Sequence, residues 1–398
     1  MPEAQVTAPL PVRAPSQRDA RLDVLRGVCL VMIFINHIPG NPLENLTSRN
    51  FGFSDAAEGF VMMSGTAAGL AYGMDFRLPG RFMAGLTRIW KRAWTLYQVH
   101  VLCSILALAF VAAVALLTGD SRGLFTNLMK YVFTKPLSTL IGIPLMTHQF
   151  GYMNILPLYT VLLLVSPVLL WLGWRWPVWL MAGSAGGWVF PRPLPLGPPD
   201  LSPPRGRVFN PLLWQLIFVV GLLTGLRLRQ GRRLVPVRGW LMALCLLYLA
   251  FACLTLWVKP VDKAMGHTLW LLKEAGVPWF FTDFDKTYLT MPRLLHILSL
   301  AYVLTSLGWV RRAEPSRLAA PLAPLGRPAP PRARGQGAPA QGQRPPQPQG
   351  AQVRQCRRQV RLVPPAASAA THQGLQRDGR RAQLGARSTA CRHPGGDD

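Results

Sequence analysis

A histidine follows an arginine eleven positions later inside one apolar run, RLDVLRGVCLVMIFINH, which also carries Asp23 near its start. Wound as a helix, that spacing turns about 1100°, three turns and some 20°, so Arg26 and His37 share a face about 16 Å apart in depth. Asp23 lies one turn before Arg26. A neutral imidazole can take a proton from a hydroxyl and return it, and a guanidinium can steer a donor or stabilise developing negative charge. The stripe therefore suits general-base chemistry at His37. Plainer roles stay open: Asp23 and Arg26 can anchor a helix at a membrane surface, and His37 can close a helix end against the Pro39-Gly40 turn.

A second segment, NFGFSDAAEGFVMMSGTAAGLAYG, sets Asp55 and Glu58 one turn apart. They either serve the same site or complement the positive end of a helix that Ser54 could cap. Its small residues, Gly59, Ser64, Gly65 and Gly69 among them, allow close helix packing or close approach of a ligand. In TRIWKRAWTLY, Arg88 and Arg92 stand at i and i+4 beside Lys91. They can fork the phosphates of a donor or simply anchor the chain at the inner surface. In FTDFDKTYLTMPRLLHILSLAY, Arg293 and His296 lie one turn apart behind Asp283, Asp285 and Lys286. That grouping suits substrate binding, and solvation of a loop explains the acids equally. His100, His148 and His267 have no recurrent spacing and are expected to be packing or loop residues.

Charged groups of this kind need elements that carry them into a bilayer. Half of the 398 residues are hydrophobic and 15% are charged, against about 25% in a soluble domain. Long apolar runs exclude a soluble enzyme or a disordered regulator. Spanning helices are predicted at 22–38, 55–74, 93–118, 153–173, 176–190, 211–227, 239–258 and 292–310. The expected fold is all-α, a polytopic integral membrane helix bundle of at least eight transmembrane helices. Residues 1–20 are polar and Pro-rich with no cleavage site, so the first apolar run is expected to be an uncleaved anchor.

Charge gives that bundle an orientation. With the N-terminus cytoplasmic (Arg13, Arg18, Arg21), alternate connections should be basic. Arg77, Arg81, Arg88, Lys91 and Arg92 follow the second helix, Arg227 to Arg238 the sixth, and Arg311, Arg312 and Arg317 the eighth. The outer loops are then 39–54, 119–152, 191–210 and 259–291. The net charge of +26 resides in these connections and in the tail, with no basic patch interleaved with aromatics, so no nucleic-acid partner is expected. Cys29, Cys103, Cys245 and Cys253 lie in apolar runs without metal-ligand spacing, so neither a disulfide framework nor a metal site is expected. Residues 328–398 contain no Ile, Met, Phe, Tyr, Trp, Lys, Asn or Glu. They are expected to be disordered, either as a GC-rich gene read in a shifted frame or as a natural basic tail.

These motifs carry a resemblance. RLDVLRGVCLVMIFINH resembles the Arg-ten-residues-His signature of integral membrane acyltransferase family 3, GFVMMSGTAAG its second helix, and RIWKR its basic stretch before the third. NHIPGNP, NFGFSDAAEGFVMMSG and KTYLTMPRLLHILSLAY are similar to OpgC-type proteins, over about residues 21–327. The resemblance implies a membrane acyltransferase that passes an acyl group, succinyl in the OpgC type, from a cytoplasmic acyl-CoA to a hydroxyl of a periplasmic glucan at the bacterial inner membrane. Acyl-CoA is then a co-substrate, with no bound cofactor. Arg26 and His37 match the signature pair, Arg88 and Arg92 the basic stretch, and Asp55 and Glu58 the second helix. A transporter or flippase for a glucan or lipid-linked sugar would use the same buried charges without covalent chemistry. A non-catalytic partner of a glucan synthase would need none of them.

Overall fold

The structure is a computed structural model that describes residues 20–38, 40–125, 129–151, 153–189, 210–307 and 323–326. Chain contacts divide the protein into Met1–Ala329 and Pro330–Asp398, and every described residue belongs to the first unit. The N-terminal extension, the 191–209 part of one outer loop, the basic residues Arg311, Arg312 and Arg317, and the tail from 328 lie outside the described residues.

Among the described residues the protein is all-helical, without a strand. The helices are α1 (Ala20–Asn36), α2 (Ala56–Tyr72), α3 (Phe82–Thr118), α4 (Lys130–Thr134), α5 (Pro136–Gly142), α6 (Ile155–Arg175) and α7 (Pro177–Val189). After them come α8 (Pro211–Arg229), α9 (Gly239–Trp257), α10 (Lys259–Glu274), α11 (Trp279–Thr282), α12 (Met291–Ser306) and α13 (Ala323–Gly326). Four of them, α3, α6, α8 and α9, are long and apolar enough to cross a membrane, which makes this a membrane protein. The other four expected spans are helical but shorter: α1 and α2 have 17 residues each, α7 has 13 and α12 has 16. Each falls below the roughly 20 that a bilayer core needs.

Two expectations about loops are corrected. The basic stretch before the third span is helix, because α3 begins at Phe82 and runs 37 residues. The expected outer loop 259–291 contains α10, whose Val261, Met265, Leu269 and Leu272 repeat at helical spacing on one side.

Helix α8 is the axis of the bundle. It starts with Asn210 accepting from the Leu212 N–H at 3.0 Å and Pro211 in its first turn. Leu213, Trp214, Ile217, Phe218, Val219 and Leu222 are then fully buried. Being apolar all round, it can sit only where other helices surround it. Its closest neighbour is α2, and small residues on both sides let the backbones touch. A Cβ on Gly65 would lie 2.1 Å from the Phe218 carbonyl oxygen, and one on Gly221 would lie 2.0 Å from that of Met62. Further along, Gly69 meets Leu222 and Gly225 meets Thr66, so the two helices run parallel. Arg229 ends the seam by donating to the Leu70 carbonyl at 2.7 Å. Helices that run the same way and belong to the second and sixth expected spans fit strict alternation across a bilayer.

Indole donors fix the chain before α12. Trp214 donates to the Lys286 carbonyl at 3.1 Å and Trp188 to that of Leu289 at 3.0 Å. Leu289 itself is fully buried with φ +49°, a left-handed conformation costly for a branched residue and held by its surroundings.

Candidate functional site

A cavity of about 750 Å³ opens where the C-terminal ends of α1 and α9 meet the N-terminal ends of α2, α6 and α12. Such a meeting of ends is what alternating helices produce at one end of a bundle. His37 lines this cavity, one residue beyond α1, with its N–H donating to the Phe34 carbonyl at 3.1 Å. It is half-buried, and Asp55 and Lys286 line the same cavity.

Asp55, not Ser54, is the N-cap of α2. Its side chain accepts from the Ala57 N–H at 2.8 Å, while Glu58 reaches back to the Asp55 N–H at 3.1 Å, a complete capping box. The carboxylates also leave their own helix. Lys286 Nζ meets Asp55 Oδ2 at 2.5 Å, and Arg293 lies 3.8 Å from the same oxygen. Arg293 Nε donates to Glu58 Oε1 at 2.8 Å, and its Nη2 pairs with that oxygen too. Glu58 has no exposed surface. Two acids of α2 are thus locked to two cations from the start of α12 and the turn before it, so the buried charge is compensated in pairs. Capping and site-building, which the sequence left as alternatives, use the same two side chains.

His296 stands behind this network. Its Nδ1 lies 2.7 Å from Ser54 Oγ, and both residues are buried. Gly52 presses against the opposite ring edge, where a Cβ would lie 1.8 Å from Nε2. Ser54, Asn154, Asp262 and Lys286 line the cavity and had no place among the candidate residues. Ser54 was read only as a cap, and Lys286 only as a loop charge. Asp262 belongs to α10, which was read as loop.

Deeper in the bundle, Arg26 is buried with its guanidinium 5.4 Å from the centre of the Phe60 ring, and Asp23 is buried one turn before it. Neither lines the cavity. Arg26 Nε has no hydrogen-bond partner among the described residues, and the Phe60 face adds a cation–π contact.

At the far end of α2, Arg88 pairs with the buried Asp75, lies 5.5 Å from the centre of the Tyr72 ring, and shares that carboxylate with Arg81 at 3.3 Å. Arg88 thus has a structural partner that the sequence reading overlooked, because Asp75 was an acid in a loop valued for its bases. Arg92 sits one turn further along α3, its Nε buried and without a hydrogen-bond partner among the described residues. The cluster of Arg81, Arg88 and Arg92 and the cavity therefore occupy opposite ends of α2, about 26 Å apart by its helical rise.

His100 and His148 are buried in packing positions and His267 stacks on Trp270. Among the described residues no group of His, Cys, Asp and Glu could hold a metal ion.

A family model described as OpgC protein matches residues 18–329. The chain belongs to the OpgC family. No curated protein and no solved structure matches it. Every cavity-lining residue of this OpgC-family chain lies within the matched stretch, and membership supports the coarse reading of a transferase that modifies a glucan.

Proposed function

We propose that this OpgC-family protein takes an acyl group, succinyl by its resemblance, from a cytoplasmic acyl-CoA and transfers it to a hydroxyl of a periplasmic glucan. The observation that carries the reading is His37 on the wall of a 750 Å³ cavity, at the end of α2 opposite Arg81, Arg88 and Arg92. His37 acts as general base on the sugar hydroxyl. Lys286 and Arg293, anchored by Asp55 and Glu58, supply positive charge for the oxyanion that develops on the carbonyl oxygen of the acyl group. Arg26 keeps a cation at mid-depth between the two ends. Arg92, rather than the Asp75-bound Arg88, is the arginine available to the donor phosphates.

The bundle has eight spans in the inner membrane with its N-terminus cytoplasmic, so the cavity opens to the periplasm. The short α2 crosses packed inside protein, with ten of its 17 residues buried.

The test is transfer of a labelled acyl group from acyl-CoA to glucan by the purified protein. Labelled glucan supports the reading. Glucan that crosses the membrane unmodified favours a transporter and overturns it.

A further inference from the structure

We propose that Ser54 and His296 form a nucleophile and base pair that carries the acyl group as a serine ester between donor and acceptor; the inference rests on the acyltransferase reading above. Ser54 Oγ lines the same cavity as His37 and lies 2.7 Å from His296 Nδ1, within the reach required of a nucleophile and its base. Both side chains are buried, 2% and 3% exposed, so the pair is shielded from bulk water. The ring cannot turn away, because Gly52 closes against its far edge and Phe53 packs on it with ring centres 6.1 Å apart. Arg293 lies one turn before His296 on α12, so the pair stands next to the cation that Glu58 holds.

Cavity size gives the pair a use. About 750 Å³ is a volume for one drug-sized ligand. An acyl-CoA arm and a glucan both need that space, and a covalent intermediate lets them use it in turn.

In the first half, Ser54 Oγ attacks the thioester carbonyl carbon. The new C–O bond forms as the C–S bond breaks, the hydroxyl proton passes to His296 Nδ1 and then to the departing sulfur, and CoA leaves as the free thiol. In the second half, a glucan hydroxyl oxygen attacks the same carbon and gives its proton to His37. The ester bond to Ser54 breaks, and that proton returns to Ser54 Oγ, so both histidines end neutral.

The experiment incubates the full chain in lipid nanodiscs with radiolabelled succinyl-CoA and no acceptor, maps the label by mass spectrometry, then adds glucan. The expected result is one acyl group per chain on Ser54, CoA released in a burst, and the label chased onto glucan. Ser54→Ala should carry no label and transfer at least about 100-fold more slowly. Ser54→Cys, which keeps size and shape, should hold the label as a thioester cleaved by neutral hydroxylamine. Wild-type protein that modifies glucan without ever carrying label overturns the relay alone, as does Ser54→Ala transferring near the wild-type rate. Wild-type protein that modifies no glucan overturns the relay and the acyltransferase reading together.

Discussion

His37 is the residue whose chemistry reads most directly from its surroundings. A general base must be unprotonated to take the hydroxyl proton, so kcat/KM should fall on the acid side through one ionisation, and an identical acid limb in the residual activity of His37→Gln would remove His37 from that role. Glu58 makes a different prediction. It is fully buried and pairs with an Arg293 whose side chain is only 12% exposed. Glu58→Gln should destabilise the folded protein by about 3 kcal/mol, since the buried guanidinium loses its close partner and keeps only Asp55 at 3.8 Å, as read by thermal unfolding in detergent. Loss of activity with unchanged unfolding would instead make Glu58 a purely chemical group. Helical periodicity alone grouped Arg26 with His37, but of the two only His37, one residue past the end of α1, lines the cavity. The partners of Asp55 and Glu58 were not legible, because Lys286 and Arg293 lie more than 230 positions away in sequence and only the packing of α12 brings them back.

At the scale of elements, the seam between α2 and α8 is the closest backbone approach of the bundle's glycines and holds α2, whose N-terminal end lines the cavity. Gly65→Ala must push α8 away from the Phe218 carbonyl, so a loss of about 1–3 kcal/mol in stability is expected. Gly183→Ala on α7, where a Cβ meets nothing within 4 Å, is the control and should change little. Equal unfolding temperatures for the two variants would contradict the close seam. Small residues in α2 made tight packing legible, but not its partner, since any helix with small residues opposite could have filled that place. Helix α10 was missed for another reason. Its polar side carries Lys259, Asp262, Lys263, Lys273 and Glu274, and a segment with that much charge between two apolar runs reads as a loop unless its helical period is examined. The missed element matters, because Asp262 and Met265 of α10 help to wall the cavity.

For the whole molecule, the basic connections gave an orientation, and the parallel run of α2 and α8 agrees with the alternation that orientation requires. Cysteine labelling tests the facing itself. Asn45→Cys, exposed beside the cavity, should react with a membrane-impermeant reagent from the periplasmic side, and Thr87→Cys on α3 should not. Ser48 is a poorer site, since its hydroxyl is buried. Reversed labelling would invert the donor and acceptor sides together. The composition beyond residue 327 marks a change in the chain that its helices could not reveal, and reading the gene in the other two frames there should uncover an apolar run of about 20 residues. The account as a whole rests on group transfer across the bundle, and one reconstitution tests it most directly. Liposomes carrying the protein receive labelled succinyl-CoA on the face of Thr87 and glucan on the face of Asn45. The wild-type chain should place label on the glucan in ester linkage, and His37→Gln should lower that rate by about 100-fold or more while inserting normally. Label reaching glucan at the same rate in both proteins would contradict it.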